Sequence, residues 1–298
     1  MDNKEKNMPD KSENANGNTA SPKGELEIRN IEKIFRIPGC EATMALKDCS
    51  LTVERGKLTV LVGPSGCGKT TLANIIAGYD TPTSGQVMLD GTPTRSASPD
   101  RIMVFQETAL WPWMTVKKNV TFGPSVIGGI TQSEAEKKAM GLLEKVGLVE
   151  FSDNYPAQLS GGMQRRAELC RALLMEPKVM ILDEPFRGLD VMTRELMQEY
   201  LLKLYGETGL TMFFITSEID EALFLADRIM VMTQLPGTIK TIVEVDLPRP
   251  REFSVTASEA YAKHKAKVMD SLYEEGLKSF GQLEGGGREC TYNPAVTS

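Results

Sequence analysis

The stretch Lys57-Leu58-Thr59-Val60-Leu61-Val62-Gly63-Pro64-Ser65-Gly66-Cys67-Gly68-Lys69-Thr70-Thr71 decides the fold. Residues 57–62 are a dense apolar run of buried-strand length, and 71–77 read as a helix. Between them stand Gly63, Gly66 and Gly68, then Lys69 and Thr70, the residue types of a phosphate-binding loop in its strand-to-helix setting. Glycines let successive backbone N–H groups curl around anionic oxygens, and a helix N-terminus favours negative charge. Lys69 then supplies a point charge for the β- and γ-phosphates and Thr70 a hydroxyl ligand for magnesium. A plain glycine turn needs neither the lysine nor the flanking elements. Pro64, Ser65, Cys67 and Thr71 complete the loop expected to line the nucleotide, and alkylation of Cys67 is expected to compete with it.

A second stretch, Val179-Met180-Ile181-Leu182-Asp183-Glu184, is an apolar strand that delivers two carboxylates at its C-terminal end, the usual ligand side of a parallel sheet. Alone it would read as a strand meeting solvent. Paired with the phosphate loop, it predicts that Asp183 holds magnesium through its water shell and that Glu184 orients or deprotonates the water attacking the γ-phosphate. ATP and Mg2+ are therefore the expected cofactors. Roughly twenty residues upstream, Leu159-Ser160-Gly161-Gly162-Met163-Gln164 places a serine and two glycines at a helix start. That is a second anion-binding nest without a lysine to complete a nucleotide site, and on its own it could be a simple N-cap.

Together the three motifs resemble the ABC (ATP-binding cassette) ATPases, over roughly residues 26–245. The resemblance implies an α/β fold: a P-loop NTPase (RecA-like) core with an antiparallel β subdomain and an inserted α-helical subdomain. It also implies a head-to-tail dimer with a second ATP-binding subunit, in a homodimer or related heterodimer. There the loop of Ser160, Gly161, Gly162 and Gln164 closes over ATP held by the partner's phosphate loop. Carried across residue by residue, Gln106 matches the glutamine that senses magnesium and the γ-phosphate, and Asp190 the aspartate of the loop crossing between subunits. Phe35 is similar in position to the aromatic that stacks on adenine, although an aromatic in a β-type run also suits core packing. Residues 107–115, with Trp111-Pro112-Trp113, look like the variant in ATPases of nitrate, sulfonate and taurine importers. The two tryptophans suit either a groove for a membrane subunit or the core of the helical subdomain.

The family pattern is departed from in two places. Ser217 stands where a histidine contacts the γ-phosphate, and Arg187 and Gly188 stand where small residues are usual. The only histidine, His264, lies between lysines, where a surface position is expected.

The rest of the chain fits around these motifs. Antiparallel strands are expected at 26–35 and 46–53, then strands at 86–89 and 101–105 with a turn at Asp90-Gly91, and a mainly helical stretch at about 115–175. Thr131 and Glu134 have the spacing of a capping box. Buried parallel strands follow at 179–182 and 212–216, further strands at 229–231 and 239–245, and a terminal helix at 259–277. The expected organisation is a disordered tail over 1–24, an ATPase domain over 25–247 with its helical subdomain at about 107–175, and a helical extension with a flexible tail over 248–298. Formal net charge is −6 with both signs interspersed, which argues against nucleic acid as a partner. The N-terminus lacks a signal-peptide core, no run reaches the length of a membrane span, and five scattered cysteines suggest free thiols. The chain is thus expected in the cytosol, and the resemblance implies a peripheral position at the cytoplasmic face of the cell membrane, on integral membrane permease subunits supplied by a separate solute-binding protein. The expected activity is ATP hydrolysis that energises import of a small solute of the nitrate, sulfonate or taurine class, the alternative being an ATP-dependent binding or regulatory subunit with weak hydrolysis because Ser217 replaces the histidine.

Overall fold

The computed structural model describes residues 24–39 and 41–283, the last six as backbone only. The expected N-terminal tail up to residue 23, Cys40, and the glycine-rich C-terminal tail with Cys290 lie outside the described residues.

Two sheets form the frame. One is antiparallel, built from β1 (Leu26–Phe35), β2 (Thr43–Val53), β4 (Ser84–Leu89) and β5 (Thr92–Thr94) in the order β2-β1-β4-β5. The other takes β3 (Leu58–Val62), β6 (Arg101–Val104), β7 (Val179–Asp183), β8 (Thr211–Thr216), β9 (Arg228–Met232) and β10 (Ile239–Glu244) in the order β10-β9-β3-β8-β7-β6. It is parallel except for its edge strand β10. Every residue of β3, β7 and β8 is buried, which is why these strands read as nearly continuous apolar runs.

Alternation along those strands divides the core. Val60, Leu182 and Phe214 face α5 (Val191–Thr208), α6 (Ile219–Leu225) and α7 (Glu259–Leu283). Leu61, Ile181 and Phe213 face α1 (Lys69–Ala77) and the antiparallel sheet, where Leu26, Ile28 and Leu46 close the layer. A third cluster joins α2 (Val116–Ile127), α3 (Gln132–Lys145) and α4 (Gly161–Leu174) through Val116, Val120, Leu143 and Cys170. The capping box forms at α3: the Glu134 N–H donates to the Thr131 hydroxyl (3.3 Å) and the Thr131 N–H to the Glu134 carboxylate (2.8 Å).

Strand β5 contains Pro93 and was not expected; it survives because it is the outer strand, where a missing N–H costs no ladder bond. Helix α7 runs to Leu283, and its inner face corrects the placement of His264. That residue is 8% exposed, in line with Tyr261 and Val268, and its Nε2 lies 2.6 Å from Asp246 Oδ1. The flanking lysines obscure a helical period that turns the histidine inward.

Candidate nucleotide site

Strand order brings the motifs to one edge. β3 and β7 flank β8, and β6 lies beside β7, with Val62 opposite Thr216, Asp183 opposite Ile215 and Val104 opposite Leu182. The C-terminal ends of these strands carry the phosphate loop, Ser217, the Asp183-Glu184 pair and the segment leading to Gln106.

The loop turns on Gly66 and Gly68, at φ +76° and +102°. A Cβ on Gly68 would also sit 3.2 Å from the Ala45 carbonyl oxygen. Lys69 is buried, and its ammonium donates to the carbonyls of Gly63 and Pro64, both at 2.9 Å. Two of its three donors thus hold the loop that a bound anion would share. Cys67 corrects the alkylation expectation. Its side chain is fully buried beneath Gly63, and burial pushes its thiol above the ordinary range, opposed by Lys69.

Asp183 ends β7 at 4% exposure. Burial raises its carboxyl above the usual range, and the Thr70 hydroxyl, which hydrogen-bonds the carboxylate, opposes the shift. Its Oδ1 is buried without a hydrogen-bond partner. A desolvated carboxylate oxygen beside a hydroxyl is unsatisfied as it stands and matches the hard oxygen ligands that magnesium takes, so the residues present fit that ion.

Glu184 holds φ +43°, uncommon for a residue with a Cβ. Its N–H donates to the Ile215 carbonyl (2.9 Å) and its carbonyl accepts from Arg187 N–H (3.1 Å), so strand and turn together impose the conformation. Its carboxylate accepts from Arg187 Nη1 at 2.8 Å. Glu184, Arg187, Arg194, Ser217 and Glu221 line a cleft of about 160 Å³. The two departures from the family pattern therefore share one cleft.

Gln106 is exposed, two residues past β6. Its segment is fastened to α4: Arg165 donates to the carbonyls of Phe105 (2.7 Å) and Gln106 (2.5 Å), Glu168 accepts from Ala109 N–H (3.1 Å), and Arg171 donates to the Ala109 carbonyl (2.7 Å). Arg165 and Glu168 pair at 2.6 Å in the interior. Sequence reasoning missed this clamp. The signal was three charges at i, i+3 and i+6 on one face of a helix whose neighbours are apolar.

Ser160 is the N-cap of α4, accepting from Met163 N–H at 3.3 Å. A Cβ on Gly162 would lie 2.7 Å from Thr193 Cγ2. The Gln164 amide is engaged locally, donating to the carbonyls of Pro156 (3.0 Å) and Leu159 (3.2 Å) and accepting from the Thr108 hydroxyl (3.1 Å). Asp190 is exposed and caps α5, accepting from Thr193 N–H (3.0 Å). The Ser160 nest thus packs near Leu189 and Thr193, whereas the phosphate loop packs against Ala45, Leu46 and Met232. The two nests have different neighbours. Phe35 ends β1 half-buried, outside the packed clusters, with Lys33 Nζ 5.0 Å from its ring centre. Trp111 and Trp113 are 37% and 66% exposed, so they do not plug the helical core.

Residues 46–187 match the model of the ABC transporter family. An uncharacterized ABC transporter ATP-binding protein of Methanocaldococcus jannaschii, MJ0412, is 44% identical over 257 residues, 86% of this chain and 94% of its own length. The chain belongs to the ABC transporter ATP-binding family. Other relatives of this cassette include the nitrate import ATP-binding protein NrtD of Synechocystis sp. (42% identity, 92% of this chain and 99% of that one) and the taurine import ATP-binding protein TauB of Roseobacter denitrificans (45%, 72% and 80%). Among solved structures, the ATP-binding cassette MJ0796, in a dimeric post-hydrolysis state bound to ADP and Pi, superposes on the cassette with a TM-score of 0.66 at 31% identity, covering 75% of this chain and all of that one. No described helix is long and apolar enough to cross a membrane.

Proposed function

We propose that this cassette hydrolyses ATP to drive an importer of a small solute of the nitrate, sulfonate or taurine class. The observation that carries the proposal is the buried Asp183 carboxylate, hydrogen-bonded by Thr70 and left with an unpartnered Oδ1 beside the Lys69 loop. Neither a structural strand end nor a simple anion nest requires that arrangement. The names of NrtD and TauB support the solute class.

The residues divide the work. The N–H groups of Gly63 to Thr71 and the Lys69 ammonium bind and orient the phosphates, and Phe35 faces the adenine. Thr70, Asp183 and Gln106 would hold magnesium, which would supply charge neutralisation to the phosphate groups. Glu184 takes the proton of the attacking water, with its carboxylate steadied by Arg187. Ser160, Gly161, Gly162, Gln164 and Asp190 belong to the composite site of a second subunit, a reading supported by the neighbours of Gly161 and Gly162, Leu189 and Thr193, which are not those of the phosphate loop. The exposure of Trp111 and Trp113 supports a contact with an integral membrane permease subunit; in this reading the dimer works at the cytoplasmic membrane surface and a separate binding protein delivers the solute.

Lys69→Ala tests the proposal. Losing a charge-assisted hydrogen bond of roughly 1.5–3 kcal/mol should weaken ATP binding about ten- to hundredfold and abolish phosphate release in a folded protein. Unchanged turnover would overturn the assignment.

A second reading, ATP-dependent binding with weak hydrolysis, is favoured by Ser217 alone. Arg187 and Arg194 in the same cleft are the cations able to compensate for it.

A further inference from the structure

The C-terminal helix is wired to the back of the phosphate loop. Glu275, on the inner face of α7, is 1% exposed, and a carboxylate so far from water must be paired. It accepts from the backbone N–H of Gln234 (3.0 Å) and pairs with Lys240 (2.9 Å), whose ammonium also reaches the Ser271 carbonyl (3.1 Å) on the same helix. Gln234 lies in loop 233–238, which is a closed unit: Thr233 N–H donates to the Thr238 carbonyl (2.9 Å) and Thr238 N–H to the Thr233 hydroxyl (3.0 Å). At its tip, Gly237 donates to the Ala45 carbonyl (2.8 Å) and accepts from Lys47 N–H (3.1 Å). The tip presses on the nucleotide loop, since a Cβ on Gly237 would overlap the Cys67 carbonyl oxygen. Ala45 in turn lies under Gly68, the residue that opens α1. Glu275, Gln234, Gly237 and Cys67 form one packed path from a surface helix to the loop that curls around phosphate, and the matched family region, 46–187, ends before any but the last of them.

We propose that Glu275 is a positioning residue for the nucleotide site, setting the shape of residues 63–68 through loop 233–238, so that α7 tunes ATP affinity from outside the site. The proposal rests on the reading of that loop as the ATP site. The two arms of the test separate the claims. ATP binding is measured by calorimetry for the full chain, Lys69→Ala, Glu275→Ala and Lys240→Gln, and amide exchange of residues 63–70 is followed without nucleotide. Glu275→Ala should raise the Kd for ATP by about two- to thirtyfold, the range of coupling carried by packed networks, and accelerate exchange in 63–70 while β7 and β8 stay protected. Lys240→Gln, at the edge of the network, should shift both in the same direction by less, and it decides the matter if Glu275→Ala does not fold. Wild-type affinity and unchanged exchange in folded variants would overturn the proposal. Absence of ATP binding by the unaltered chain would instead overturn the site assignment, with the exchange arm still reporting on the link.

Discussion

Asp183 and Glu184 are neighbours in sequence and opposites in environment. The first is sealed in the sheet with an oxygen left over; the second is bent outward by a left-handed backbone and held by an arginine. Asp183→Asn removes the charge but keeps the shape, so magnesium dependence should weaken while nucleotide without magnesium still binds; titration of the metal at fixed ATP measures it. Ser217→His restores an imidazole donor to the cleft. If Ser217 is the weak point, phosphate release by the assembled transporter should rise about ten- to hundredfold, one charged hydrogen bond in the transition state. If Arg187 already fills the role, turnover should stay level and Arg187→Ala should lower it instead. Cys67 should resist alkylation in the native chain and react on unfolding, as followed by mass mapping of the loop peptide. Glycines, lysine and carboxylates were legible because their chemistry fixes their spacing. The Arg187 contact was not, since it requires Glu184 to leave the allowed region for ordinary strands, which no residue type announces.

Elements show the same division. Strands β3, β7 and β8 were readable because burial on both faces leaves few polar positions, Thr59, Asp183, Thr211 and Thr216 among them. Helix α3 announced its own start, and Thr131→Ala should cost about 1 kcal/mol, measured by chemical denaturation. Helix α4 hid its main task. Glu168 satisfies two arginines and a backbone N–H, and burial raises its carboxyl above the usual range against the pull of Arg165. Glu168→Ala would leave Arg165 buried without its carboxylate and should destabilise the chain by about 3–5 kcal/mol, with the Gln106 segment freed from α4. Denaturant midpoints combined with amide exchange at Ala109 separate the global from the local loss. The inner face of α7 was obscured for a related reason: His264 and Glu275 occupy core positions that a hydrophobic period assigns to apolar side chains.

At the scale of the molecule, the topology gathers the ends of four strands on one side and leaves the Ser160 nest attached to other neighbours. Glu184→Gln, which keeps the shape and removes the base, should trap ATP and accumulate the closed dimer, visible by light scattering with magnesium and ATP. Persistence as a monomer in the presence of the membrane subunits would count against a shared site. The proposed division of the site between two subunits also sets a rule of inheritance. In a mixed pair, one Lys69→Ala chain and one Ser160→Arg chain, both lesions fall in the same composite site and the other is left whole. Cells carrying the two defective copies together should regain part of the uptake that neither copy supports alone, whereas two different lesions within the phosphate loop should never complement each other.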